Sequence, residues 1–177
     1  MKHTKSLTQK NNLLEMANEK KIDLDKYITN LNVINDIVSE KKLEEIPITI
    51  TFTEAQNFEE LNKFQEKHEV TIDSLEVRLS KNGEKFTAFV ESTDDISDSF
   101  YKITEISVEN DLELVGILSA NITSSSNKVK AFEDDLNVST VDTSASDYIE
   151  DKAKTEDEQK VKYAKSLAWE LEESKLK

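Results

Sequence analysis

The stretch Pro47–Thr53, PITITFT, decides the reading of this chain. Ile48, Ile50 and Phe52 alternate with Thr49, Thr51 and Thr53, so every second side chain is apolar. A two-residue period with β-branched residues on both faces describes a half-buried strand. Pro47 sits at the entry, where it ends any preceding helix and pushes Ile46 towards extended geometry.

On the N-terminal side the period is helical. Leu24, Tyr27, Ile28, Leu31, Ile34 and Val38 follow Asp23, a good N-cap, and line one face of a helix. Leu7, Leu13, Leu14 and Ala17 line a shorter helix before it. The two together predict a helical hairpin over residues 5–43.

On the C-terminal side Asn57 and Glu60 form a capping-box pair that opens a helix over 58–68, along which Phe58, Leu61 and Phe64 follow at i, i+3 and i+6. Ile72, Leu75, Val77 and Leu79 mark a strand, and Phe86, Ala88 and Val90 mark its partner. Asn82-Gly83 between them supplies the positive φ angles that a two-residue hairpin needs. A polar stretch over 91–99 leads to Phe100, Ile103, Ile106 and Val108 on a short helix. Leu112 to Ala120 reads as a strand apolar on both faces, since Val115 and Ile117 are apolar as well as Leu114, Leu118 and Ala120. Ser124–Ser126 and Asn127 cap a helix that turns Val129 and Phe132 inward, and Val138 and Val141 belong to a last strand. The tail from Asp147 reads as an amphipathic helix carrying Tyr163, Leu167, Trp169 and Leu171.

The order is therefore β-α-β-β-α-β-α-β, or β-α-β-β-α-β if the piece over 100–108 is part of an insertion. The expected class is α+β: a ferredoxin-like βαββαβ antiparallel sheet with helices on one face, flanked by the N-terminal helical hairpin and the C-terminal helix. Strand order cannot be read from one sequence.

Charge divides the 177 residues in the same places. The formal net charge is -14, yet residues 1–45 and 151–177 are each neutral, and residues 46–150 hold 22 acidic against 8 basic side chains. The expected domains are a helical segment over 1–45, an acidic α+β domain over 46–146 and a C-terminal helix over 147–177. No apolar run reaches the ~20 residues that span a bilayer. Residues 1–12 are basic and polar, with no apolar h-region after them. Low Gly and Pro with abundant Lys, Asn, Glu and Ile suit an AT-rich bacterial coding sequence, and zero Cys suits either a cytosolic or an exported protein.

The chemistry-bearing residues are few. With no Cys, disulfides, thiolate chemistry and Cys-ligated zinc are excluded. His3 and His68 are the only imidazoles and stand in no metal-ligand spacing; His68 is read as ending a helix, where it favours the last carbonyls. Asp94, Asp95 and Asp98 fall in one loop, and Glu133, Asp134 and Asp135 end a helix; neither cluster has the glycine and spacing of a calcium loop. Ser124–Ser126 and Thr143-Ser144-Ala145-Ser146 lack a nucleophile-elbow context, and two glycines cannot build a phosphate loop. A single Arg in an acidic chain argues against a large phosphate-binding surface, so no nucleic acid is expected. Neither cofactor nor metal is expected.

One stretch carries a family likeness. Residues 115–142 hold a hydrophobic strand, Val115–Ile122, then Val129 and Phe132 on a short helix, then Asp135, Val138, Val141 and Asp142. This run resembles the second half of the propeptides of subtilisin-like proteases and the related small protease inhibitors. Strand 46–52 and the helix with Phe58, Leu61 and Phe64 fit the first half, so the likeness covers residues 46–143. The resemblance implies a ferredoxin-like fold and a protein partner met by the segment after Val141, that is Thr140, Val141, Asp142, Thr143, Ser144, Ala145 and Ser146. The function expected first is a non-enzymatic interaction module, exported or surface-associated in a Gram-positive-type bacterium. An acidic cytosolic or phage-encoded inhibitor that mimics DNA is the second expectation, and a small carboxylate-based enzyme the third.

Overall fold

A computed structural model of the protein describes residues 7–92, 95–146 and 163–175, with side chains over 24–92, 95–146 and 163–172. The chain is α+β, with a five-stranded antiparallel sheet and five α-helices among the described residues. In chain order these are α1 (Leu7–Glu40), β1 (Ile46–Gln56), α2 (Phe58–His68), β2 (Ile72–Lys81), β3 (Glu84–Glu91), α3 (Ile96–Glu109), β4 (Glu113–Ser124), α4 (Val129–Glu133), β5 (Val138–Asp142) and α5 (Ala168–Lys175). A 3₁₀ turn, Ser126–Lys128, precedes α4. Asp94, the side chains of Leu7, Leu13, Leu14 and Ala17, and the tail over 147–162 lie outside the described residues.

The strands stand in the order β3-β2-β4-β1-β5. β1 and β2 run in the same direction with β4 between them, antiparallel to both. The α2 crossover therefore joins two strands that never touch. β2 and β3 pair from Ser74↔Glu91 to Lys81↔Glu84, and the turn holds Asn82 at φ 50° and Gly83 at φ 82°, as the Asn-Gly signal requires. Pro47 causes no loss in the ladder: β5 pairs with β1 only from Thr49 onward, so no strand lies on the side where its N–H is missing.

The alternation in β1 places Ile46, Ile48, Ile50 and Phe52 on one face of the sheet. Leu75, Val77 and Leu79 of β2, Val90 of β3, Ile117, Ala120 and Ile122 of β4 and Val141 of β5 share that face, and α2, α3 and α4 cover it with Leu61, Phe64, Ile103, Val129 and Phe132. Val38 of α1 enters the same core. α2 begins as read: Asn57 accepts from Glu60 N–H while the Glu60 side chain accepts from Asn57 N–H. Phe64 meets Phe52 edge-on with centroids 5.3 Å apart.

Two flanking elements differ from expectation. Residues 7–40 form one uninterrupted helix, not a hairpin. The gap in the apolar pattern between Ala17 and Leu24 contains Glu19, Lys20 and Lys21, which are good helix formers, and no Gly or Pro to break it. At the other end α5 begins only at Ala168, so Tyr163 and Leu167 precede the helix. α5 lies on the opposite face of the sheet from α2–α4, since Trp169 and Glu172 meet Arg78, which points away from the core. The strand expected to be buried on both faces is also uneven, for Leu114 and Val115 are exposed while Leu118 is buried.

β4 crosses β1 closely where the register slips between Thr51 and Gln56. Gly116 has φ +150° there, and a Cβ on it would stand 2.9 Å from both Ala55 Cβ and Gln56 O. Gly83, by contrast, has open space around it. Gly116→Ala is therefore expected to cost about 2–3 kcal/mol through clash and backbone strain. Gly83→Ala costs about 1 kcal/mol from its φ alone. Chemical denaturation of the two variants measures the difference.

Candidate functional site

The same alternation that builds the core gives the second face of the sheet its character. Thr49 and Thr51 of β1, Ser74, Glu76 and Arg78 of β2, Ser119, Asn121 and Thr123 of β4, and Thr140 and Asp142 of β5 stand opposite the apolar rows. Several are nevertheless buried, including Thr49, Thr51, Arg78, Ser119 and Asp142. A buried polar surface has to be hydrogen-bonded, and residues 163–172 do much of that.

The contacts run in sequence along the segment. Tyr163 donates to Asp73, which Thr123 also reaches at 2.8 Å. Burial and that carboxylate push the Tyr163 phenol up to about 12, so it stays a donor at neutral pH. The Thr49 hydroxyl lies 2.8 Å from the Ala164 carbonyl and 2.9 Å from Asn121 Oδ1. Ser166 donates to Glu76 at 2.5 Å, and the amide of Leu167 donates to Thr51 Oγ1 at 3.2 Å. These main-chain contacts hold residues 163–167 out of a helix, and α5 starts once they end.

Arg78 and Lys85 close the series. Arg78 Nη1 donates to the Phe86 carbonyl at 3.1 Å and to Thr87 Oγ1 at 2.6 Å. Its Nη2 donates to Glu172 Oε1 at 2.5 Å, and Lys85 Nζ meets Glu172 Oε2 at 3.1 Å. The guanidinium also lies 5.9 Å from the Trp169 ring centroid. Beside this clamp an opening of about 400 Å³ is walled by Phe52, Ala55, Val115 and Leu118 and bordered by Ala168 and Leu171.

Thr140–Ser146 lies at the other edge, under α1. Asn35 donates to the Val141 carbonyl at 2.8 Å and accepts from Thr143 at 2.6 Å. Tyr27 donates to Asp142 Oδ2 at 2.5 Å, and Ser144 N–H bonds the other Asp142 oxygen. Burial and the Asp142 carboxylate raise the Tyr27 phenol well above its ordinary value. Thr140, Val141, Asp142, Thr143, Ala145 and Ser146 are buried, and only Ser144 is partly open.

His68 is not at its helix carbonyls. Lys128 Nζ takes the carbonyls of His68 and Glu69 at 2.7 and 2.9 Å, and the imidazole instead meets Asp135 Oδ2 at 2.7 Å between Phe64 and Phe132. Burial works to raise the Asp135 carboxyl, but hydrogen bonds from His68, the Asn137 amide and Lys67 outweigh it and hold it below the usual range. Asp95 caps α3 through Ser97 N–H, and that bond lowers its carboxyl too. Among the described residues no three His, Asp or Glu side chains converge as a metal set. No helix among them is long and apolar enough to cross a membrane.

Sequence reasoning singled out Thr140–Ser146, which the structure buries against α1, and passed over the Arg78–Lys85–Glu172 clamp. The available signal was Arg78 itself, the one Arg of the chain, on the polar phase of β2. No protein-family model, curated protein or solved structure matches the chain.

The Asp135 pairing makes a pH prediction. Its folded pKa is depressed, so its stabilisation is present above about pH 4, the unfolded value, and is lost as pH falls through the lower folded one. Asp135→Asn is expected to lose about 2 kcal/mol at pH 7. Denaturation series between pH 7 and 2.5 should show that difference shrinking below about pH 4.

Proposed function

We propose that the chain is a non-enzymatic protein-interaction module that binds an extended polypeptide segment across the polar face of its sheet. One observation carries this reading: residues 163–167 of the chain itself lie extended on that face through main-chain hydrogen bonds to sheet side chains, and the Glu172 carboxylate on the helix that follows is held there by two cations. Recognition of backbone groups by a sheet surface, with a side-chain clamp further along, is how an extended peptide is read.

A ferredoxin-like fold is part of the proposal. Setting aside β3 and α3 as an insertion leaves β1-α2-β2-β4-α4-β5 with the neighbours β2-β4-β1-β5. That arrangement supports two interlocked split βαβ units. The likeness to subtilisin-type propeptides and inhibitors points the same way, towards a protein partner. For Thr140–Ser146 to engage one, α1 would have to leave Asn35, Tyr27 and their bonds behind. The polar face requires only that residues 163–175 move. We therefore centre the proposed site on Thr49, Thr51, Glu76, Arg78 and Lys85.

The test is a chain ending at residue 162 together with a synthetic peptide of residues 163–177. The apolar core lies on the other face, so the shortened chain should unfold cooperatively, with a Tm lower by roughly 3–8 °C. It should take up the peptide with a Kd on the order of 10–100 μM. Loss of cooperative unfolding, or failure to bind the peptide, overturns the proposal.

A further inference from the structure

We propose that Arg78 and Lys85 form a carboxylate-recognition subsite whose occupant is an acidic side chain on a short helix that follows the extended stretch of a partner's segment, with a bulky apolar residue next to it. This rests on the reading of the polar face as a docking surface and names what that surface selects.

Arg78 is 3% exposed, and its guanidinium is oriented by its own hairpin through the Phe86 carbonyl and Thr87. Glu172 then divides itself, giving Oε1 to Arg78 Nη2 and Oε2 to Lys85. Arg78 Nε is buried and has no hydrogen-bond partner among the described residues. Nε and Nη2 share one edge of the guanidinium, the edge that a carboxylate takes as a two-point fork. The resident glutamate uses half of it. A buried N–H left unmade carries a desolvation penalty, so an occupant that engages both nitrogens gains over Glu172.

The neighbouring space agrees. The opening of about 400 Å³ along Phe52, Ala55, Val115 and Leu118 is bordered by Leu171 and Ala168 but still stands open. A larger apolar side chain in the place of Leu171 would extend into it. Charge excludes the alternatives: without Glu172 the subsite presents two cations, one of them buried, which disfavours a basic or neutral occupant. The occupant is a polypeptide because Thr51 and Thr49 bind the backbone of Leu167 and Ala164, five and eight positions before the carboxylate.

The experiment uses the full chain carrying Glu172→Gln, which removes the resident carboxylate, and in parallel the chain ending at residue 162, which also frees the face; each is titrated calorimetrically with three peptides. The parent is YAKSLAWELEESK, residues 163–175. The second carries Gln at the place of Glu172, and the third carries Phe at the place of Leu171. The parent should bind at least tenfold more tightly than the Gln peptide, and the Phe peptide several-fold more tightly than the parent. Lys85→Met added to the chain should weaken the parent about fivefold and leave the Gln peptide unchanged; Lys85 is chosen because Arg78 also supports the hairpin. Equal binding of the parent and Gln peptides removes the carboxylate subsite but leaves the docking face. Binding by none of the three removes the docking face itself. Displacement of the parent by acetate at concentrations matching the peptide would overturn a polypeptide occupant in favour of a small carboxylate.

Discussion

A sheet with aliphatic side chains on one face and hydroxyls, amides and charges on the other cannot cover both faces by the same means. The apolar face is covered without direction, by any helix that brings Leu61, Phe64, Ile103 or Phe132 within reach. The polar face is covered only where its buried donors and acceptors find partners, and among the described residues Arg78 Nε is left over. In this chain the partners are Tyr163, Ser166, the main chain of Ala164 and Leu167, and Glu172. The position of the C-terminal segment follows from that need, and so does its break into an extended stretch followed by a helix.

How legible this was depended on whether a feature is local. The Asn82-Gly83 hairpin, the Asn57–Glu60 capping box and the alternation of β1 are set by neighbours within a few residues, and they appear in the structure where the pattern placed them. α1 was legible as helix but not as one helix: an interruption in its apolar stripe resembled a turn, though Glu19, Lys20 and Lys21 carry the helix across. Residues 163–167 were misread for the opposite reason. Leu167 and Leu171 are four apart and suit a helix, but contacts with Thr49 and Thr51, more than a hundred residues away in sequence, hold the stretch before α5 extended. The insertion of β4 between β1 and β2 leaves no trace in periodicity at all.

The candidate site shows the same limit. Arg78 was visible as a rarity, and its phase on β2 pointed it away from the core. Its meaning required Lys85 from the next strand and Glu172 from the end of the chain, none of which is coupled to it by spacing. His68 was read by its nearest backbone and found instead a carboxylate 67 residues on, because Lys128 had taken the helix end.

The central place of β4 also governs the order in which the molecule can assemble. β2 and β3 close on each other through a two-residue turn, so that ribbon can form early and alone. β1 has no contact ladder with β2; each waits for residues 113–124 before the two halves join. The sheet is thus sealed by long-range pairing rather than by progressive zipping, which slows folding through the entropy of the closing loops. During synthesis, the edges of β1 and β2 that β4 will take stay bare until residues 113–124 have emerged.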